Sequence, residues 1–431
     1  MKEFNKIKQA GCYVFLLTAC LWFIQPLAAQ QPLTLEQCRQ LAAARNNNLA
    51  AARQNINAAK ARKAQQEAGG KPTVDVSATG FYFGKPLNSV LPEYGISPGV
   101  SIAQPIYNGG KVKLNKALAN NGVIIEEAQQ VYTATEVLYN TDRAYWQVVA
   151  AGEKIKLAAQ YKKQLAALFT DLNNQYTAGI TYKNDVLRIK VQQNENELNL
   201  LRAADALILA KLTLAQVTGR KDSIDFIVAD TIAGAFNQVL ADTVGAAANR
   251  PEIRILQRNI ASGKVQENLL KADTKPSVSL GLNGVTAFGK QGINLSNNSN
   301  FMASWYSMLS VNIPVFDWGK RKQKVKEQQY KIAAQEYQLK EQEEQISIEV
   351  QQAYLQLNEN ARRIELSGAS LEQAEENVRL SNDRLKAGTI TGKDVLEAQS
   401  LWQQAYSDII DAKVAYKISE AALKKALGTS R

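Results

Sequence analysis

The side chains able to do chemistry are few, and the most distinctive of them come twice. TAGITYKNDVL (177–187) and KAGTITGKDVL (386–396) share an Ala-Gly step followed, at the same distance, by Asp-Val-Leu. Gly179 and Asp185 therefore match Gly388 and Asp394, while Arg188 in the first copy stands where Glu397 stands in the second. The plain physical reading is a helix stop at each glycine and a cap or dipole partner at each aspartate. Glu397 lies a turn further in, where capping explains it less well. Histidine is absent, which removes the commonest general base and the commonest metal ligand. No acid pair clusters elsewhere, so nothing proposes a reaction, a metal or a cofactor.

The first thirty residues read as a secretory signal. Lys2, Lys6 and Lys8 form a basic start, YVFLLTACLWFI is the apolar stretch, and PLAAQ offers a cleavage site near Ala29 or Gln30. The apolar run is shorter than the ~20 residues of a membrane-spanning helix. LTAC, ending at Cys20, also resembles a lipoprotein cleavage box, so lipidation of Cys20 stays open. Cys12 and Cys20 leave with the signal, and Cys38 alone remains, with no partner for an intramolecular disulfide. Export and the interleaving of Lys and Arg with Glu and Asp, as in EQQYKIAAQEYQLKEQEEQ, argue against nucleic acid despite a net charge of +11.

The paired turns belong to a longer register. Pro105, Gly110, Tyr145, Gln147, Ile155 and Gly219 each have an identical residue 209 positions on, at Pro314, Gly319, Tyr354, Gln356, Ile364 and Gly428. Before them Asn55, Ile56, Lys60, Pro72 and Gly80 match Asn259, Ile260, Lys264, Pro276 and Gly284 at a spacing of 204. The chain is two tandem copies of one unit. Its parts are a signal (1–30), a first repeat (31–219), a connecting segment (220–248) and a second repeat (249–431).

Each copy reads helix, hairpin, helix, turn, helix. LTLEQCRQLAAARNNNLAAARQNINAAKARKAQQEA predicts one helix stopping at Gly69-Gly70. The strands alternate: Val74, Val76, Ala78 and Tyr82 against Asp75, Ser77 and Thr79, then Val278, Leu280 and Leu282 against Ser279, Gly281 and Asn283. The return strands carry Val100 and Ile102, and Leu309, Val311 and Ile313. Such strands divide an apolar medium, core or lipid, from a polar one. Phe81, Tyr82, Phe83, Trp305 and Tyr306 are expected at strand ends, as interface aromatics. Four strands cannot close a membrane sheet, whose smallest usual barrel has about eight. Three chains would pool twelve.

Gly110 to Gly179 spans about 100 Å if helical at ~1.5 Å per residue. Two shorter helices stacked end to end, from 34–69 and 181–219, would match that length. Leu187, Val191, Asn194, Leu198, Leu201, Asp205, Ile208 and Leu212 form a seam at steps of four and three, and Ile364, Leu371, Val378 and Leu385 keep a step of seven. Tyr145 and Tyr354 read as core residues, and Asn108 and Asp317 as caps.

The duplicated QPIYNGG and IPVFDWG, the NRPEI opening the second copy and the duplicated Gly-x5-Asp-Val-Leu resemble the TolC-like outer membrane factors of efflux and type I secretion. The likeness covers essentially the whole mature chain. It implies a mixed α and β membrane protein in the cell outer membrane: a homotrimer, a 12-stranded transmembrane β-barrel and a long α-helical coiled-coil barrel in the periplasm. It implies no enzyme activity, with a periplasmic adaptor and an inner-membrane pump as partners. Val74, Val76, Val278, Leu280 and Val311 would face outer membrane lipid, and Gly179 and Gly388 would form the tip turns where the adaptor docks. The resemblance places an acidic ring at Asp394 and Glu397, with Asp185 and Arg188 completing the periplasmic gate. A periplasmic coiled-coil adaptor is the alternative, but it would need a β-rich domain splitting the helices.

Overall fold

The computed structural model describes residues 32–89, 91–220, 224–232, 234, 236–239, 249–289 and 299–429. The signal with Cys12 and Cys20, and much of the connecting segment, lie outside the described residues. In chain order the elements are α1 (Leu35–Arg45), α2 (Asn47–Ala68), β1 (Thr73–Tyr82), β2 (Tyr94–Asn108), α3 (Lys111–Thr177) and α4 (Lys183–Thr218). The second repeat supplies α5 (Pro251–Ala272), β3 (Ser277–Gly289), β4 (Phe301–Asn312), α6 (Lys320–Lys386) and α7 (Gly392–Ala426).

The two long helices, α3 and α6, have 67 residues each, about 100 Å at ~1.5 Å per residue. Each starts at a left-handed glycine, Gly110 or Gly319. Asn108 and Asp317 sit two residues earlier, and their side-chain oxygens accept from the amides of Val112 and Arg321.

The sequence predicts one helix over 34–69, and the structure breaks it at Asn46. Backbone ψ of 129° takes Asn46 out of the helix. Its side-chain oxygen accepts from the Asn48 amide while its nitrogen donates to the carbonyl of Val217, at 2.8 Å. A buried Asn that caps one helix and ties down the end of another outweighs the helix propensity of its neighbours.

The strands form one antiparallel meander, β1-β2-β3-β4. Around it the helices lie in rows fixed by their contacts. Next to the sheet the order is α2, α3, α5, α6; at the far end it is α4, α3, α7, α6. Every row therefore begins with a first-repeat element (β1, α2 or α4) and ends with a second-repeat element (β4 or α6). The buried residues fall in clusters strung along the long helices, one around Tyr145 and Leu214, one around Tyr354 and Ile346, and one at the far end around Leu172 and Val395. Tyr145 and Tyr354 are both buried.

The seam from Leu187 to Leu212 lies away from the contact of α4 with its own chain. These residues do not bind α4 to α3: Leu187, Val191, Leu198, Leu201, Ile208 and Leu212 are exposed, and α4 buries Val186, Ile189, Asn196 and Leu214 instead. The opposite terminal helix, α6, likewise exposes Tyr330, Tyr337, Ile348, Leu355 and Leu366. Ile364, Leu371, Val378 and Leu385, by contrast, pack within the chain.

Candidate functional site

The hydrogen-bond register brings the apolar positions of both repeats onto one sheet face. Val74 pairs with Ile102, which pairs with Leu282, and Val76 pairs with Val100. Leu280 faces Leu309, and Val278 faces Val311. Directly paired residues share a face, so Val74, Val76, Val278, Leu280 and Val311 line one side. Asp75, Ser77, Ser279, Asn283 and Ser310 line the other. Neither side is covered: β1 and β4 are exposed along both faces, with Val76 77% exposed. Among the described residues a ladder edge is free at β1 and another at β4.

Aromatics cluster at the ends of strands, but Trp305 is not among them. Phe81 lies beside Phe83, and Phe288 against Phe301. Trp305 and Tyr306 pair with Gly284 and Asn283 inside β4. β4 begins at Phe301, so Trp305 and Tyr306 fall inside the strand rather than at its end.

At the far end, Gly179 and Gly388 both have φ of +73°. The amides of Ile180 and Thr389 reach back to the carbonyls of Gln175 and Arg384, which closes each long helix in the same glycine-dependent way. Beyond the first turn Ile180 and Tyr182 stand exposed. In the first copy Thr181 donates from its hydroxyl to Asp185. In the second, Asp394 is the third residue of a capping box, accepting from the Thr391 amide at 2.8 Å and hydroxyl at 2.7 Å. Those two bonds, the hydroxyl first, hold its carboxyl below the usual carboxylate range. Glu397 is exposed on α7 and Arg188 on α4. Within the chain no ion pair joins Arg188 to Asp185, Asp394 or Glu397 among the described residues.

Sequence comparison missed what holds these two turns together. Val186 and Val395, related by the repeat, share a cluster with Leu172 and Leu168. Gly392, the first residue of α7, is buried, and a Cβ there would overlap Leu172 Cδ1. Its repeat counterpart is the exposed Lys183, so identity between copies gave no signal. A second node lies midway along the chain. The Tyr145 hydroxyl bonds the Leu33 carbonyl and the Asp230 carboxylate and accepts from the Asp230 amide, clasping two extended segments that pair at Leu33 and Val228. Cys38 is buried in the same cluster, and burial pushes its thiol up to about 11, so it stays protonated and inert.

Among the described residues no group of His, Cys, Asp and Glu could hold a metal, and no helix is long and apolar enough to cross a membrane. The latter says nothing of the sheet.

Comparison with known proteins agrees with this arrangement. The family described as outer membrane efflux protein matches residues 38–220 and 244–429. Outer membrane protein TolC of Escherichia coli (strain K12) is 21% identical over 349 residues, covering 77% of this chain and 69% of that protein. TolC of Salmonella enteritidis is 21% identical over 305 residues; the match spans 68% of this chain and 61% of that relative. Among solved structures, CusC superposes with a TM-score of 0.78 at 15% identity, covering 92% of each chain. The Campylobacter jejuni CmeC outer membrane channel superposes with a TM-score of 0.77 at 18% identity, over 92% of this chain and 87% of that one. At such identities the structural likeness speaks for the fold.

Proposed function

Given that the chain belongs to the outer membrane efflux protein family, a family of outer membrane channels rather than enzymes, we propose that three copies close into one conduit. Its barrel of twelve strands sits in the outer membrane, and its helical wall continues into the periplasm. One observation carries this reading: every row of elements in the chain has two free ends, and they are consistently the same two. β1, α2 and α4 are free on one side, β4 and α6 on the other. An open sheet edge is untenable in hydrocarbon, and exposed apolar stripes on α4 and α6 call for a partner helix. A second copy offers the matching end each time. Four strands per chain reach a closed barrel of ordinary size with three copies.

In this reading Val74, Val76, Val278, Leu280 and Val311 face lipid, and the Ser77 and Ser279 side faces a watery lumen. The turns at Gly179 and Gly388 present exposed backbone, with Ile180 and Tyr182, to a periplasmic adaptor that couples the conduit to an inner-membrane pump. Asp185, Arg188, Asp394 and Glu397 lie next to those turns and set the charge of the narrow end. The adaptor alternative loses its footing, because all four strands form one meander and no β-rich domain splits the helices among the described residues.

The internal β2–β3 seam supplies a template for the seam between copies. Ala103 pairs with Gly281; moved by the repeat spacings, this pair becomes Asn312 of one copy and Ser77 of the next. The double variant Asn312→Cys with Ser77→Cys should form disulfide-linked trimers in outer membranes under mild oxidation. Inserted protein that stays entirely monomeric on a non-reducing gel would sink the proposal.

A further inference from the structure

The two strand-to-helix junctions are the same turn with different occupants, and the difference has a direction. In the first repeat Gly109 holds φ of +70°; in the second, Trp318 occupies the matching place with φ of +56°. Trp318 is the one non-glycine residue with positive φ among the described residues, a conformation that costs a large side chain strain. Its ring is 91% exposed, touching Phe316 at 4.9 Å between centroids. A strained tryptophan left in the open has no reason within its own chain.

The first repeat shows what that position faces. A Cβ on Gly109 would lie 2.9 Å from the Ala272 carbonyl and 3.1 Å from Lys275 Cβ, so α5 and the turn after it press against the glycine. That turn reads Asp273-Thr274-Lys275, and Asp273 pairs with Lys111 at 2.6 Å. The turn related to it by the repeat is Gly69-Gly70-Lys71, at the free side of the chain. The atoms that crowd position 109 belong to Ala272 and Lys275, and their counterparts Ala68 and Lys71 are the same residue types. The two turns differ in between, where Asp273-Thr274 in one is Gly69-Gly70 in the other, which leaves side-chain room on the turn that faces position 318.

We propose that Trp318 seats on the Gly69–Gly70 turn of a neighbouring copy, a knob that marks the joint between chains as different from the joint within one. The ring fills the space that Asp273 and Thr274 fill inside the chain and lies against the partner's Lys71, whose ammonium suits an indole face. Lys320, the counterpart of Lys111, meets no carboxylate at this joint, and the tryptophan replaces the ion pair. The effect is registration: neither end of the chain can close on itself or on an offset neighbour without losing the fit. The inference rests on closure of the conduit by copies of this chain and adds the residue that sets the joint.

The test uses the full-length protein in outer membranes. Trp318→Cys coexpressed with Gly69→Cys on a separately tagged chain should give a disulfide between the two tags. Gly69→Asp alone should lower the temperature at which the trimer dissociates on a gel. Adding Trp318→Gly should restore it, because Lys320 then faces a carboxylate as Lys111 does. Disulfides at Asn312 and Ser77 without any at Trp318 and Gly69, or no rescue by Trp318→Gly, would overturn this inference while leaving the trimer intact. Absence of both disulfides would remove trimer closure and this contact together. Loss of the bromolipid-quenched part of the fluorescence in Trp318→Gly would place the ring in the bilayer surface instead and also overturn it.

Discussion

Asn46 and Arg250, 204 positions apart, do the same job in the two repeats with different chemistry. Asn46 donates to the carbonyl of Val217, and Arg250 to the carbonyl of Ala426 at 3.0 Å, 209 positions further on. Each ties the start of one helix to the last turn of another, where Gly219 and Gly428 pack against Arg45 and Asn249. Arg250 is 6% exposed and also reaches Glu252 and Glu349. Arg250→Ala should therefore cost about 2–4 kcal/mol, since it strands carbonyls and two carboxylates. Asn46→Ala should cost about 1–2 kcal/mol, the loss of a cap and one buried bond. Denaturation midpoints of the two variants in detergent check the order, and equal losses would contradict it.

Gly392 is the tightest point between the two hairpin ends. Gly392→Leu forces a side chain into the fully buried Leu172 and should destabilise the far end by about 1–3 kcal/mol. Lys183→Leu, at the matching but exposed place, should be nearly silent. Hydrogen exchange of the 168–189 and 385–396 segments distinguishes them: faster exchange in the first variant alone is the expected outcome.

How much of this was legible beforehand depends on what identity between the repeats can reveal. Conserved pairs such as Gly110 with Gly319 and Gly179 with Gly388 marked the helix ends, because only a residue free to take positive φ fits there. The alternation of Val74 and Val76 with Ser77 gave the sheet faces before any register was known. Positions that differ between copies gave no such signal. Asn46 and Arg250 reach equivalent carbonyls through unlike side chains, and Gly392 and Lys183 differ because only one of them is covered. The Leu187–Leu212 seam was visible, but periodicity reports that a face is apolar, not which helix covers it. Here the chain's own α3 takes another face.

The sheet faces make a sharper test. Val76→Arg or Leu280→Arg should impair assembly by about 2–4 kcal/mol per chain if the side chain meets the bilayer midplane. Ser77→Arg or Ser279→Arg, directed to the other face by the same register, should be much milder. Quantifying heat-stable oligomer in outer membranes gives the comparison, and equal defects on both faces would refute the assignment.

The capping box predicts a pH effect confined to one turn. Asp394 is held below its ordinary value of 3.8 by Thr391. A depressed carboxyl adds stability above its ordinary value, and that contribution is lost as pH falls through the lower folded value. The start of α7 should thus fray only below about pH 3.8, and Thr391→Ala should weaken this dependence, since it takes away the hydroxyl and leaves the backbone amide bond. Exchange of the Thr391 and Asp394 amides, followed through acid, reads it directly; protection that fades already near neutral pH would contradict it.

The same aspartate decides whether the far end is a charge gate or only a capped turn. With three copies, Asp394 and Glu397 put six carboxylates around one axis, where they repel each other and attract cations. The capping bonds do not exclude this, because Asp394 keeps its charge and stays exposed while accepting them. Asp394→Asn with Glu397→Gln removes all six charges at little cost in shape. If the ring governs passage, the reversal potential of single channels in a salt gradient should move toward weaker cation selectivity, and block by multivalent cations from the periplasmic side should weaken. Asp394→Asn alone isolates the charge at that position, since it keeps a side-chain oxygen for Thr391. Thr391→Ala supplies the complement: it breaks the box and leaves every charge in place. A gate made of charge predicts altered selectivity in the double variant and normal selectivity in Thr391→Ala. Normal selectivity in both would leave Asp394 a helix cap and move the selective step elsewhere in the conduit.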